Sequence, residues 1–481
     1  MAILWFVLGT LFCFLALIVI RAVGFRPKRT PRPAAIAVDV DEYSAALRLQ
    51  AMIQKKTVSN IDPSQVDQQE FESFRELLKG LYPAVHEKCR RERIGANGIL
   101  YHWKGMHDEA PSVLMAHYDV VPAKEEAWQA PPFSGTIRDG ELWGRGTLDT
   151  KCTLHGIMEA AEALCKEGFI PDQDLYFVFG GDEEVMGQDA PAIVEVLKQR
   201  GVKPAFVLDE GGAVVEGVFP GVKGQAAMIG IAEKGSVFLN IRAQGKGGHA
   251  SAPPLKQSFV TLANAVRRLE KKPMPFRLTK PVLELFDIMG RHSTFAYRLI
   301  FANLWCFSSL LDLICRVSGG ELNALVRTTC AYTRASGADA YNVLPPEVTA
   351  GVNLRLIGGE TIEQVISRME RTIGDSNVRL CPVEDVKGEE ASAVSKTHDA
   401  AWHRLDTAIR QTYPDALVVP YLMVAATDSR HFCPVSEHVF RFSGIPLTKE
   451  QRELVHNTDE RIPVALLKDA IGFFTRVIRM S

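Results

Sequence analysis

The chain has 481 residues, 47% hydrophobic and 23% charged, a composition that excludes an intrinsically disordered protein and is large enough for two or three packed units. With 55 Lys and Arg against 57 Asp and Glu, the net charge of −2 gives no electrostatic attraction for nucleic acid. The 9 cysteines are scattered and contain no Cys-x-x-Cys pair, which argues against a disulfide framework or a thiolate zinc site.

Residues 1–20 carry no charged side chain, and twenty helical residues reach about 30 Å, one hydrocarbon core. Segment 1–22 therefore reads as a single-pass membrane anchor, with a secretory signal sequence as the alternative. Arg21, Arg26, Lys28, Arg29 and Arg32 follow it, which by the positive-inside tendency places the remainder on the cytoplasmic side. Residues 23–38, rich in Arg and Pro, read as a stiff linker.

From 40 to 81 the spacing of apolar residues is helical. Three short apolar runs, 112–117, 174–180 and 205–209, each end in acidic or histidine residues, and helical patterns at 154–166 and 190–200 separate them. Strand, helix, strand, helix, strand predicts an α/β fold with a mostly parallel central sheet and function at the carboxyl ends of its strands. After Gly224 the texture changes to alternating strands at 227–232 and 237–243, a helix over 257–271 and a strand at 348–357. This predicts a smaller α+β unit, inserted over 226–390 into a catalytic domain made of 39–225 and 391–481.

Four segments carry candidate chemistry: AHYDVVPA (116–123), GRGTLDTK (144–151), GDEE (181–184) and VLDEGG (207–212). Histidine nitrogen and carboxylate oxygen both suit Zn²⁺, and a bridging carboxylate can hold two ions, so the set fits a two-metal hydrolase. His117 and Asp119 lie two apart at a strand end and share a face, so Asp119 can accept from the ring nitrogen that His117 does not give to metal.

With GGHASAPP (247–254) and VHNTDE (455–460), these motifs resemble, in order, the co-catalytic zinc metallopeptidases that include aminoacylases and carboxypeptidase S, nearest to the N-fatty-acyl-amino acid synthase/hydrolases. The resemblance runs from about residue 45 to the end. It implies a zinc-peptidase catalytic domain with an inserted lid or dimerisation domain, and two Zn²⁺, which Mn²⁺ or Co²⁺ could replace. His117 and Asp209 would hold one ion, Glu184 and His456 the other, and Asp149 would bridge. Glu210 is the rival ligand to Asp209, turned away by strand alternation. Glu183 would be the general base, and the Asp149–Thr150 peptide would be cis. His249 would donate to the oxyanion, often across a homodimer, while Asn342, Arg355 and Arg430 are candidates to hold the substrate carboxylate, a task that suits a guanidinium.

The implied reaction is cleavage of the amide between an acyl group, fatty acyl in the nearest members, and a carboxyl-terminal amino acid, possible also in reverse as synthesis. A carboxypeptidase acting on short peptides is the alternative within the enzyme class, and a non-catalytic binding protein on the same fold the alternative outside it. The chain departs from the pattern at Cys152, where a glycine is usual. It also departs in an extra stretch over 272–317, whose apolar part, 299–315, reads either as a buried or dimer-interface helix or as a greasy lid that takes an acyl chain or rests on the membrane.

Overall fold

Strands His107–His117, Gln173–Gly180 and Phe206–Asp209 run parallel, and Val439–Arg441 continues the array on Phe206–Asp209. They carry apolar residues on both faces because both faces are covered. Leu114, Ala116, Phe177, Phe179 and Leu208 share one core with helices Lys151–Lys166 and Leu467–Arg479, and Val113, Met115, Val178 and Val207 share another with helix Asp189–Gln199. The computed structural model describes residues 1–28, 33–34, 36–219, 221–383 and 388–481, so residues 29–32 and 35 of the expected linker, Pro220 of the first catalytic segment and 384–387 of the expected insertion lie outside the described residues.

The large sheet has ten strands. A hairpin, Cys89–Ile94 with Gly98–Trp103, closes one side antiparallel to Gln173–Gly180. On the other side Gln225–Glu233 meets Val439–Arg441 and carries Leu417–Met423 parallel and Val214–Glu216 antiparallel. The segment at 227–232, read from its alternation as part of the smaller unit, thus belongs to this sheet, where it is buried on both faces. The chain crosses to the second sheet within Glu233, Lys234 and Gly235.

That second sheet is antiparallel throughout, ordered Thr329–Ser336, Glu347–Leu356, Gly235–Gln244, Val378–Pro382, with helices Ser258–Lys271 and Ile362–Ile373 sharing its core. The extra stretch lies apart from it. Helix Lys280–His292 packs on Leu417–Met423 of the large sheet, and Phe295–Phe301 and Leu304–Ser318 follow.

Helix Ala2–Gly24 is, among the described residues, the one helix long and apolar enough to cross a membrane. The helical region expected from 40 to 81 is divided into Glu42–Ile53 and Gln68–Leu81, with a 3-10 turn at Pro63–Gln65 between them. Asp41 and Asp67 cap the two helices by accepting main-chain N–H groups, which proline and intervening polar residues could not propagate through.

Candidate metal centre and active site

The strand His107–His117 ends on a fully buried histidine whose two ring nitrogens face different partners. Nδ1 lies 3.1 Å from the Asp119 carbonyl and 3.3 Å from its Oδ1, while Nε2 lies 3.0 Å from Asp149 Oδ1. Asp119 does more than face the ring: its carboxylate also accepts the N–H groups of Glu183 (3.2 Å) and Glu184 (3.1 Å). One buried carboxylate therefore positions the ends of two neighbouring strands.

Asp149 stands between two imidazoles. Its Oδ2 is 3.0 Å from His456 Nε2, and the latter is 3.0 Å from Glu184 Oε2. The Asp149–Thr150 peptide is cis, and His456 has a left-handed backbone at φ 61°. His117, Asp149 and Glu184 each direct one ligand atom to a common point, the three lying within 4.8 Å of one another, and Glu183 Oε2 stands 3.9 Å from His117 Nε2.

Two residues that the motif reading left without a role stand at this centre, and the first organises it. Glu460 is buried and accepts the N–H groups of Gly146 (3.1 Å), Leu148 (2.7 Å) and Asp149 (3.2 Å), so it shapes the loop that presents Asp149. It also accepts from Arg145 at 2.7 Å, and Arg145 in turn donates to the His456 carbonyl at 3.4 Å. Asp428 is the second: one oxygen is buried without a hydrogen-bond partner, and burial with the nearby charges of Asp209, Asp182 and Asp119 pushes its carboxyl well above the usual range. Its position in Thr427-Asp428-Ser429, just before Arg430, was the sole sequence cue.

At the third strand end the two acidic neighbours differ. Asp209 is buried, and both its oxygens are engaged, Oδ1 by the Glu210 N–H at 2.9 Å and Oδ2 by the Ser429 N–H at 3.0 Å. Behind it Ser429 and Thr427 lead to a fully buried Glu233–Arg441 pair at 2.7 Å. At Glu210, burial, and then the charges of Asp149 and Asp209 with Glu184 beyond them, push the carboxyl well above the usual range, while His117 opposes this. The sequence reading puts Asp209 toward the centre and Glu210 away; here the charges acting on Glu210 come from the centre, while Asp209, the last residue of its strand, is held by main-chain N–H groups.

The centre has an excess of negative charge. Burial raises the Glu183 carboxyl well above its usual value, with Asp428, Glu210 and Glu184 adding to the effect. The His456 imidazole is lifted to about 10 by Asp149 and Glu184, and on His117 the carboxylates of Asp119 and Asp149 outweigh burial and raise the ring well above its usual value. A cluster that raises the Glu183 and Glu210 carboxyls and the His117 and His456 imidazoles, while Asp149 between the imidazoles is held below the usual carboxylate range, demands cations. Its donors are imidazole nitrogen and carboxylate oxygen, the set suited to zinc, so the residues fit a metal centre.

The remaining candidates lie outside this cluster. His249 and Asn342 sit on an exposed two-stranded ribbon, Gly248–His249 with Val343–Leu344, where the Ala250 N–H donates to the Asn342 carbonyl at 3.0 Å. His249 Nδ1 accepts the Ser251 N–H at 3.2 Å, which leaves the ring proton on Nε2. Arg355 on Glu347–Leu356 is part-buried, and burial and the neighbouring Arg430 both lower its pKa. Arg430 already holds Glu389 at 2.8 Å and the Glu390 carbonyl at 2.9 Å. Cys152 is buried in helix Lys151–Lys166, its thiol 3.4 Å from the Leu148 carbonyl, and burial pushes it up to about 12.

A donor set of imidazoles and carboxylates at the carboxyl ends of a parallel sheet, with an antiparallel unit set into the chain, defines a metallopeptidase-like hydrolase. The model of peptidase family M20/M25/M40 matches residues 113–480, and the chain belongs to that family, as a metallo-amidohydrolase. It is 38% identical over 413 residues to N-fatty-acyl-amino acid synthase/hydrolase PM20D1 of Xenopus tropicalis, covering 85% of this chain and 80% of that protein. It is 33% identical over 479 residues to probable carboxypeptidase S-like 2 of Dictyostelium discoideum, covering 97% and 91%. Among solved structures, the M20 family metallo-carboxypeptidase Sso-CP2 of Sulfolobus solfataricus shares the fold with a TM-score of 0.64 at 15% identity, covering 92% of this chain and 99% of that one.

Proposed function

We propose that the protein is a membrane-anchored dizinc amidohydrolase that cleaves the amide between a fatty acyl group and an amino acid bearing a free carboxylate. The observation that carries the reading is the convergence of His117, Asp149 and Glu184, with His456 against Asp149 and Glu184 and with Glu183 beside His117. His117 and Glu210 would hold one ion and Glu184 and His456 the other, with Asp149 between them. Glu210 stands in place of Asp209 in this assignment because Asp149, Glu184 and His117 act on its carboxyl, whereas the charges facing Asp209 are those of Glu233 and Arg441.

When bound, the ions would polarise the amide carbonyl and lower the pKa of water. Glu183 takes the proton of the attacking water and delivers it to the leaving nitrogen. Asp119 holds the His117 ring and the main chain of Glu183 and Glu184 in place. His249, with its proton on Nε2, donates to the developing oxyanion when its ribbon closes over the centre or comes from a second copy in a homodimer. Arg355, with Arg430 and Asn342, receives the substrate carboxylate. The fatty acyl preference is supported by the 38% identity to a protein of that name and by the apolar helices over 280–318. The 33% identity to a carboxypeptidase S-like protein over 97% of the chain supports a second reading, cleavage of short peptides.

The test compares N-oleoyl-phenylalanine with the blocked dipeptide Z-Gly-Leu as substrates of the full chain in detergent. Preferential hydrolysis of the oleoyl compound, abolished by chelator and by Glu183→Gln, is expected. Preference for the dipeptide would give the carboxypeptidase reading.

A further inference from the structure

The N-terminal helix is attached along one side. Ile18 and Ala22 are 5% and 0% exposed, while Leu4, Phe6, Phe12 and Leu15 stand outward. Against it lies the bent pair Phe295–Phe301 and Leu304–Ser318, whose axes differ by 109°. The Asn303 side-chain amide donates to the Ile18 carbonyl at 3.1 Å, Arg21 Nε donates to the Ala302 carbonyl at 3.2 Å, and Phe14 meets the Trp305 ring edge-on at 5.8 Å. Past the helix end, Arg291 donates to the Arg26 carbonyl at 3.2 Å and its guanidinium lies 4.4 Å from the centre of the Phe25 ring.

These contacts fix depth. Phe14 precedes the helix end at Gly24 by ten residues, about 15 Å of helix, which is roughly the middle of a hydrocarbon core of about 30 Å. Whatever touches Phe14 in a spanning helix lies at that depth too. Leu304–Ser318 is built for it: Leu311 and Cys315 face inward, and Trp305 (55% exposed), Leu310, Leu313 (57%), Ile314 and Val317 (80%) face outward. Its two charged residues are paired, Arg316 with Asp312 at 2.8 Å and Asp312 also with the buried Arg327. The outward apolar face therefore continues that of the N-terminal helix, an apolar surface of a kind that water does not tolerate.

We infer that the bent pair is a second lipid-embedded element, entering the bilayer beside the anchor and leaving on the same side, with the exposed face of Leu304–Ser318 in contact with acyl chains. The inference rests on the anchor in the proposed function. It also gives a place to a small, mostly apolar cavity lined by Phe219, Met228, Leu285, Leu325 and Tyr421, with Glu321 as its one charged residue. That cavity belongs to the same apolar cluster as Leu304 and Leu311, and two of its walls stand on the strands Gln225–Glu233 and Leu417–Met423. Met423, at the end of the latter strand, packs on Gly211 beside Glu210. An acyl chain leaving the bilayer would meet this apolar ground before the metal centre.

The test uses the full chain in dioleoylphosphatidylcholine vesicles with and without phosphatidylcholine brominated along its acyl chains. Trp5→Phe leaves Trp305 to report on the pair, Trp305→Phe leaves Trp5 to report on the anchor, and the double variant sets the baseline of the remaining tryptophans. Bromolipid is expected to quench the larger part of the Trp305 emission. Quenching of Trp5 with none of Trp305 overturns the inference and leaves the anchor standing, whether water or a second copy covers the face. Quenching of neither overturns both, and quenching of Trp305 alone overturns the anchor and with it the placement of the pair beside it. Hydrolysis of N-oleoyl-phenylalanine by the same preparations reads the chemical assignment separately.

Discussion

Asp119 and His117, two residues apart, form a buried contact in which the carboxylate faces Nδ1 at 3.3 Å and leaves Nε2 directed at Asp149. The same carboxylate accepts the N–H groups of Glu183 and Glu184. An amide at this position has a single acceptor oxygen, and its NH₂ would oppose an N–H donor. Asp119→Asn is therefore expected to weaken metal binding about 10- to 100-fold, measured by competition with a chelator. Unchanged metal affinity would mean that Asp119 is not what orients the His117 ring.

Glu183 stands beside the ligand atoms without converging on them. Glu183→Gln keeps shape and removes the proton acceptor, so kcat is expected to fall about 10²- to 10⁴-fold while metal content, read by elemental analysis of the purified protein, stays at the wild-type value. Loss of metal along with activity would reassign Glu183 as a ligand.

The strand ends were legible because each central strand is an apolar run stopped by His or acidic residues, and the parallel order follows from the helices between them. Two kinds of feature were not legible. Glu460 acts on Gly146, Leu148 and Asp149 from more than three hundred residues away, and nothing local to VHNTDE announces it. The run 226–232 is apolar throughout, which suits a strand covered on both faces, and that pattern rather than alternation matches its place in the large sheet. Which of Asp209 and Glu210 serves the centre depends on where the strand stops, which periodicity does not locate to one residue.

The two acidic neighbours separate by experiment. Glu210→Gln is expected to lower bound zinc from two equivalents toward one, because its carboxylate shares its surroundings with Asp149, Glu184 and His117. Asp209→Asn disturbs N–H contacts to Glu210 and Ser429 and is expected to lower Tm with metal stoichiometry kept. The reverse pattern would restore Asp209 as the ligand.

Lys234, where the chain passes between the two sheets, is buried, and its ammonium donates to the carbonyls of Ala324 (3.0 Å) and Arg327 (2.9 Å). Burial, and then the charge of Arg355, lower its pKa from 10.5 to about 7. Between these values the unfolded chain holds a proton that the folded chain releases, so this group makes stability rise with pH across that window. Lys234→Met removes the dependence. The Tm of the wild type relative to the variant is therefore expected to increase from about pH 7 to about pH 9.5; a constant difference would mean that the lysine stays charged in the fold.

Arg355 is a part-buried guanidinium on which Arg430 acts unfavourably and Glu233 only partly compensates. Arg430 is held by Glu389 and the Glu390 carbonyl, whereas Arg355, part-buried beside Arg430, has no hydrogen bond or ion pair to a carboxylate among the described residues. Two guanidiniums in proximity, one lowered in pKa by burial and by the other, form a site that an anion would relieve, and a planar carboxylate matches the guanidinium fork. Arg355→Met is expected to reduce kcat/KM about 10- to 100-fold, the scale of a hydrogen bond to a charged group, chiefly through KM. A substrate whose carboxyl is blocked as an amide makes no such contact and should be hydrolysed equally by both proteins. An equal loss on the blocked substrate would show that Arg355 supports the fold at the junction of the two sheets and does not bind the carboxylate.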